Sequence, residues 1–326
     1  MKTRIETPSP QVISDAAEQL HRGELVVIPT ETVYGLAGST RDPAALQSIF
    51  EIKGRPSDNP LIAHVDGPIG ARSITNGWDE RCDRLSEAFW PGPLTMVLHR
   101  QGDVPPGAAG GRDTLAVRSP SHPVARELLD VFGGPLSAPS ANRSGSISPT
   151  TAQHVAMDLD GDHAEGSLLI IDGGACTVGI ESTVLDLTTD PPRVLRPGSI
   201  TNEAIAELIG NIEAPVLGIQ DASPGTRSRH YAPVTPMELV EPRELADRIG
   251  DDPSPVVVIR SGDAGSGEAG ELLLPADPGG FAEGLYDALR RADAMGLSRI
   301  LVVVPGSGSP WRAVRDRLDR AAATSR

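Results

Sequence analysis

An α/β protein built from two units is the fold class that this sequence predicts, and three observations predict it. Short aliphatic runs stopped by Pro or Gly alternate with segments of helical period through residue 210. Residues 211–236 are rich in Pro, Gly and Ser and carry no periodicity, as an interdomain linker does. A second alternation fills 237–326, the pattern of a small Rossmann-like parallel sheet with covering helices. The expected domains are 1–210 and 237–326, joined by 211–236.

Each element has a local reason. Val12, Ile13, Ala16, Ala17 and Leu20 repeat at helical spacing over 11–22, and Gly23 stops the helix. Leu25 to Ile28 is a buried strand halted by Pro29. Asp42 as N-cap and Pro43 at the first position start a helix through Ile52. Leu61 to Val65 is a strand, Arg81 to Phe89 a helix broken by Trp90-Pro91-Gly92-Pro93, and Leu94 to His99 and Thr114 to Arg118 are strands. A helix over Pro123 to Phe132, strands over Leu168 to Asp172, Ser182 to Leu187 and Arg193 to Leu195, and a helix over Asn202 to Ile209 complete the first unit. In the second, Met237 to Val240, Val256 to Arg260 and Ile300 to Val304 are strands, with helices near 280–294 and 310–323. Gly265-Ser266-Gly267-Glu268-Ala269-Gly270 matches a dinucleotide fingerprint, but a strand-like run ending in Pro275 follows where that motif requires a helix. A surface loop is the better reading.

Composition narrows the function. The chain has 326 residues, 22% charged and 39% apolar, as a soluble globular protein does. No apolar run approaches the roughly 20 residues of a membrane span, and the N-terminus has no secretory h-region. Cys82 and Cys176 are too few and too far apart for a disulfide framework, so a cytoplasmic location is expected. No Cys/His cluster has metal-site spacing. A net charge of −15 disfavours broad binding to nucleic acid. The cations Arg41, Lys53, Arg55, Arg112, Arg118, Arg143 and Arg196 instead gather at Gly/Pro/Ser-rich motifs, which suits a small anionic ligand.

Lys53 sharpens that reading. The chain has two lysines, Lys2 and Lys53, against 27 arginines. A compact ammonium beside the planar fork of Arg55, on Lys53-Gly54-Arg55-Pro56, looks like a phosphate clamp. Alone, an isolated lysine is equally well a surface residue. Pro29-Thr30-Glu31-Thr32-Val33-Tyr34-Gly35-Leu36 follows a buried strand, where α/β folds place ligands, although by itself it reads as a polar turn. Ser137-Ala138-Pro139-Ser140-Ala141-Asn142-Arg143-Ser144-Gly145, with Ser148 beyond, lets backbone approach a nucleotide closely or serves as a flexible loop.

Taken in order, these blocks resemble the YrdC-like family of threonylcarbamoyl-AMP synthases, in its long two-domain form. So do Phe89-Trp90-Pro91-Gly92-Pro93-Leu94-Thr95, Gly179-Ile180-Glu181-Ser182-Thr183-Val184, Leu195-Arg196-Pro197-Gly198 and Arg229-His230-Tyr231-Ala232-Pro233; together the blocks span 25–233. The family's last helix often carries Asn-Arg-Leu; here it reads Asp316-Arg317-Leu318. The resemblance implies a strongly twisted sheet around an open, positively lined cavity. It implies that L-threonine, bicarbonate (or CO2) and ATP give threonylcarbamoyl-AMP and pyrophosphate. A tRNA threonylcarbamoyltransferase complex would then receive the product, while direct tRNA contact is left open. Lys53 and Arg55 are the implied catalytic cations. Lys53, Arg55, Asn59, Thr114, Ser140, Asn142, Ser148, Arg196 and Tyr231 would hold ATP, and Thr32, His64, Arg118, Ala138 and Ser182 the threonine. Mg2+ would arrive with ATP, without a dedicated protein metal site. The Lys53–Arg55 loop is expected to lie outside the core, Glu31 to brace its own loop, and 211–236 to close over the site as a lid. The competing readings are a carbamoyl-adenylate enzyme for another acceptor and a non-enzymatic RNA-binding module.

Overall fold

The computed structural model describes residues 2–161, 167–213, 230–252, 254–262 and 270–323. Its strands fall into two sheets. The larger is a twisted mixed sheet ordered Lys2–Glu6, Ser167–Ile171, Val26–Ile28, Gly35–Ser39, Leu136–Ser137, Ile62–His64, Thr114–Arg118, Leu94–Arg100, Thr183–Asp186, Arg193–Arg196, with Thr75–Asn76 paired to Leu94–Arg100. The smaller is all parallel, ordered Met237–Val240, Arg299–Val303, Val256–Ser261, Glu271–Leu274. The protein is therefore α/β, a twisted mixed sheet plus a separate parallel one.

The helices form where caps and apolar spacing agree. The Ser9 hydroxyl accepts from the Val12 N–H and Pro10 opens helix Pro10–His21, which buries Ile13, Ala16, Ala17 and Leu20. Asp42 caps Pro43–Lys53 through the Ala44 N–H at 2.8 Å, and Gly54 in the left-handed region, φ 58°, ends it. Helices Pro10–His21 and Pro123–Phe132 pack side by side on one face of the large sheet, with Val26, Ile28, Leu169 and Ile171 beneath them. Pro43–Lys53 lies in the cluster that covers the other face, with Leu36, Ala63 and Val117.

Some elements lie outside the sequence expectation. Lys2–Glu6 pairs in parallel with Ser167–Ile171 at the sheet edge, where its mostly exposed polar residues leave no apolar period. Gly35–Ser39, built of Gly, Ala, Leu and Ser, is a central strand, and Ala152–Leu159 is a helix capped by Thr151. Glu271–Leu274 is a strand beside Val256–Ser261, so the fingerprint-like run leads from a turn at Gly270 into a strand, not a helix; its residues 265–269 lie outside the described residues.

The two sheets share a core. Val33, Ile147 and Ile180 of the large-sheet region cluster with Phe281, Leu285 and Tyr286 of helix Pro278–Ala294. Arg290 of that helix pairs with Asp158 at 2.6 Å. Gly179 marks the closest approach. Its φ is +73°, and a Cβ there would stand 2.4 Å from the Glu283 Cα and 2.6 Å from the Ala282 carbonyl oxygen. Gly179→Ala is therefore expected to destabilise the protein by about 1–3 kcal/mol through overpacking and left-handed strain. Urea unfolding measures this, and an unchanged midpoint would show that the contact yields freely.

Candidate active site

The motif residues converge because several strands end on one rim. Ile62–His64 and Thr114–Arg118 are parallel neighbours whose last residues, His64 and Arg118, are register partners. Val26–Ile28 delivers Thr30 to Val33 to the same rim. The 138–141 loop is stitched in by Ala138 N–H to Ile62 O (3.1 Å) and Ala141 N–H to Tyr34 O (2.8 Å). Glu181, Ser182 and Arg196 complete the lining, together with His230 and Tyr231. The cavity between them measures about 40 Å³. One water needs about 10–15 Å³ on that measure, so the space equals roughly three waters.

One wall is a polar cluster around Arg118. Its Nη1 donates to Thr32 Oγ1 at 2.8 Å and its Nε to Gly92 O at 3.1 Å, and its Nη2 lies 2.6 Å from Glu31 Oε1. The second Glu31 oxygen accepts from the Ser121 N–H. Burial opposes ionisation of Glu31, but Arg118 holds its pKa below the usual value. Glu31 thus does more than brace its own loop: it fixes the guanidinium. His64 is buried beside Arg118, and burial first, then that cation, lowers its pKa to about 3, so it is neutral at pH 7. Ser182 Oγ lies 2.7 Å from Thr95 Oγ1 and accepts from Arg196 Nη2 at 3.1 Å. Ala138 completes this wall.

The other wall carries Arg55, Ser140, Arg196 and Tyr231. Arg55 donates to Asn59 Oδ1 at 2.6 Å and to Pro60 O at 2.9 Å, which holds its loop against the strand that follows. Tyr231 has the left-handed φ of 60°, a strained setting for a tyrosine. The Ala232 N–H donates to Gly145 O and anchors the segment beside the 144–146 loop. The Tyr231 hydroxyl and His230 Nδ1 are buried with no hydrogen-bond partner among the described residues. Each such atom costs about 1–3 kcal/mol, and a ligand would relieve it. Burial takes the His230 pKa down to about 3 and that of Tyr231 up to about 12.

Lys53 departs from the sequence expectation. It is 2% exposed, not a loop residue outside the core, and it is not among the cavity-lining residues. Its Nζ donates to the backbone oxygens of Ser140 and Asn142 and sits 3.4 Å from Asn142 Oδ1. Burial, then Arg55, pushes its pKa well below the usual lysine value, while the three oxygens favour the charged form. The compact ammonium ties the end of its helix to the 140–142 loop, a job that a planar fork fits poorly. Asn142 continues the tie, accepting from Ser140 Oγ and donating to Ser146 O. Asn59 and Ser148 touch cavity residues without lining the cavity; Ser148 donates to Glu181 Oε1 at 2.6 Å. Thr114 is not brought to the site. It starts the strand that Arg118 ends, roughly 13 Å away at strand rise, and pairs with His99. Residues 214–229 of the expected lid lie outside the described residues.

Glu181 went unassigned in the sequence, though its neighbour Ser182 did not. Burial opposes its charge, yet Arg317 and Arg196, with the Ser148 hydroxyl, bring its pKa to about 2. A carboxylate between Ile180 and Ser182 at the start of a buried strand was the available signal. Among the described residues, neither His64 Nδ1, which contacts Ile62 O, nor His230 Nδ1 is hydrogen-bonded to a hydroxyl or thiol. Burial raises the Cys176 thiol to about 12, which makes it a poor nucleophile at neutral pH. The arrangement is suited to holding anions and stabilising charge. Among the described residues, no group of three or more His, Cys, Asp or Glu could hold a metal ion, and no helix is long and apolar enough to cross a membrane.

Comparison with known proteins agrees with this geometry. A family model named Sua5/YciO/YrdC, described as telomere recombination, matches residues 18–198. A second, described as the C-terminal domain of threonylcarbamoyl-AMP synthase, matches 200–323. A threonylcarbamoyl-AMP synthase of Pyrococcus abyssi is 41% identical, covering 94% of this chain and 92% of its own. One of Bacillus subtilis is 38% identical, covering 98% and 94%. The crystal structure of P. abyssi Sua5 complexed with L-threonine superposes with a TM-score of 0.88 at 37% identity, covering 98% of this chain and 97% of that one.

The buried neutral histidines make a pH prediction. Folded pKa values near 3 for His64 and His230 lie below the unfolded value of 6.5, so the unfolded chain binds more protons as pH falls. Stability is then full above about pH 6.5 and falls on acidification, by up to about 1.4 kcal/mol per pH unit for each histidine. Urea midpoints measured from pH 7.5 to 5 should decline below 6.5, less steeply in His64→Asn; a flat profile would contradict the burial of neutral rings.

Proposed function

The chain belongs to the Sua5/YciO/YrdC family, and from that premise we propose that it is an L-threonylcarbamoyladenylate synthase, a nucleotidyltransferase of tRNA modification. L-threonine, bicarbonate and ATP give threonylcarbamoyl-AMP, pyrophosphate and water. The product supplies the threonylcarbamoyl group for N6-threonylcarbamoyladenosine in tRNA. The observation that carries this reading is a single cavity whose two walls differ in chemistry. One has a fixed guanidinium among hydroxyls and a neutral imidazole; the other has Arg55 and Arg196 beside small loop residues.

On the first wall Thr32, His64, Arg118, Ala138 and Ser182 hold threonine. The Arg118 fork, already oriented by Thr32 and Glu31, takes the carboxylate. The amine is carboxylated, and a carbamate oxygen attacks the α-phosphorus while pyrophosphate leaves. Charge grows on the phosphoryl oxygens, so positioning and preorganised cations do the catalytic work without a protein nucleophile. Arg55, Ser140, Arg196 and Tyr231 face the nucleotide directly. Lys53, Asn59, Asn142 and Ser148 act through the loops they hold. Mg2+ travels with ATP. The P. abyssi Sua5 complex with L-threonine supports the assignment of the amino acid.

A cavity of about 40 Å³ does not admit ATP while His230 and Tyr231 stand as they do. The segment bearing them swings aside to admit the nucleotide and returns to satisfy the Tyr231 hydroxyl and exclude water from the acyl-adenylate. The domain division is part of this reading: a catalytic unit over 1–210, a joining segment over 211–236 and a second unit over 237–326. A tRNA threonylcarbamoyltransferase complex takes the product onward.

Pyrophosphate release from ATP that requires both threonine and bicarbonate tests the proposal, and release indifferent to either would refute it. Arg55→Ala is expected to lower kcat/KM for ATP by about 2–4 kcal/mol equivalent. Valine should be a poor substrate and serine a partial one, because a pocket built for a hydroxyl leaves its own polar groups unpaired without it. Equal turnover of valine and threonine would exclude the pocket assignment.

A further inference from the structure

Helix Arg312–Ala322, beside the small sheet, sends one side chain into the large-sheet region. Arg317 is 1% exposed. Its Nε donates to Glu181 Oε2 at 2.8 Å, and its Nη2 lies 3.0 Å from Pro197 O and 3.4 Å from Glu181 O. Its Nη1 pairs with Asp316 at 2.6 Å, which sets the plane of the guanidinium. Tyr286, on helix Pro278–Ala294, donates its hydroxyl to the same Glu181 oxygen at 2.9 Å. The other Glu181 oxygen accepts from Ser148.

These contacts frame the stretch from 181 to 197. Just inside its two ends sit Ser182 and Arg196, both cavity residues, joined by Arg196 Nε to Ser182 O at 3.1 Å. One guanidinium therefore grips the backbone at both ends of the stretch, and the carboxylate that it orients reaches Ser148. We infer that Arg317, assisted by Tyr286, is a positioning residue supplied by the second unit, which fixes Arg196 and Ser148 for the nucleotide and holds Ser182 through Arg196. The inference rests on the proposed synthase reading and gives the second unit a task in the reaction. Arginine is required, since two carbonyls and a carboxylate need divergent donors in a fixed fork. Thr32, His64 and Arg118 lie outside these contacts, and Ser182 is reached only through Arg196 and the Glu181 backbone, so the nucleotide side bears the larger effect.

Steady-state pyrophosphate release by the full chain tests this. Arg317→Lys retains a cation near the Tyr231 ring, whose centroid is 5.2 Å from the guanidinium carbon, but loses the fork. It should raise KM for ATP about tenfold and KM for threonine by no more than about twofold, the smaller change arising through Ser182. Tyr286→Phe keeps its ring stacked on Tyr231 and loses one hydroxyl; it should raise KM for ATP about threefold. Combining Tyr286→Phe with Ser148→Ala should cost less than the product of the separate effects, because both act through Glu181. A merely structural role would lower kcat with the folded fraction, leave both KM values unchanged and overturn the inference. If Arg317→Lys does not fold, Tyr286→Phe decides alone. A wild-type chain without threonine-dependent turnover removes the synthase reading and this coupling with it. Wild-type turnover with unchanged variants removes the coupling only.

Discussion

Buried cations that donate to loop carbonyls hold this site together. Lys53 takes Ser140 and Asn142, Arg55 takes Asn59 and Pro60, Arg118 takes Gly92, Arg196 takes Ser182, and Arg317 takes Pro197 and Glu181. The loops concerned make few sheet hydrogen bonds, so their carbonyls need partners from elsewhere. A charged donor makes a stronger hydrogen bond than a neutral one, and a fork can join two segments at once. The sheet brings the loops to one rim, and these cations give them shape.

The arrangement also reconciles an acidic protein with an anion-binding reading. Surface carboxylates set the net charge, while the positive groups that matter are turned inward. Burying cations is costly unless their donors are satisfied. Here the carboxylates of Glu31 and Glu181 and a set of carbonyls meet that need, and the guanidiniums are oriented before any ligand arrives. Such preorganisation is what charge stabilisation in a reaction requires.

Much of this was legible in the chain, and the reasons for the rest are physical. Asp42-Pro43 and Gly54 announce both ends of a helix because capping is local, and the structure follows them. Gly35–Ser39 and Lys2–Glu6 gave no such sign, since one is small and central and the other polar and peripheral; pairing alone makes them strands. The motif blocks mark loops that line the cavity, but sequence does not encode where a side chain points. Lys53 therefore read as an outward clamp and is an internal tie. Thr114 stood in the right strand at its wrong end. Glu181 depends on Arg317, 136 residues away, a partnership that no local pattern reveals.

The small cavity bears on measured affinity. If only a fraction of molecules have His230 and Tyr231 turned out at any instant, a nucleotide meets a receptive site only in that fraction. The apparent dissociation constant then exceeds the intrinsic one by the reciprocal of that population, and association slows in the same proportion. On that reading, the left-handed backbone of Tyr231 would add about 1–3 kcal/mol to the energy of the form shown, and an opened form that relaxed it would be populated the more. Strain at one residue would in this way tune how often the protein samples its surroundings.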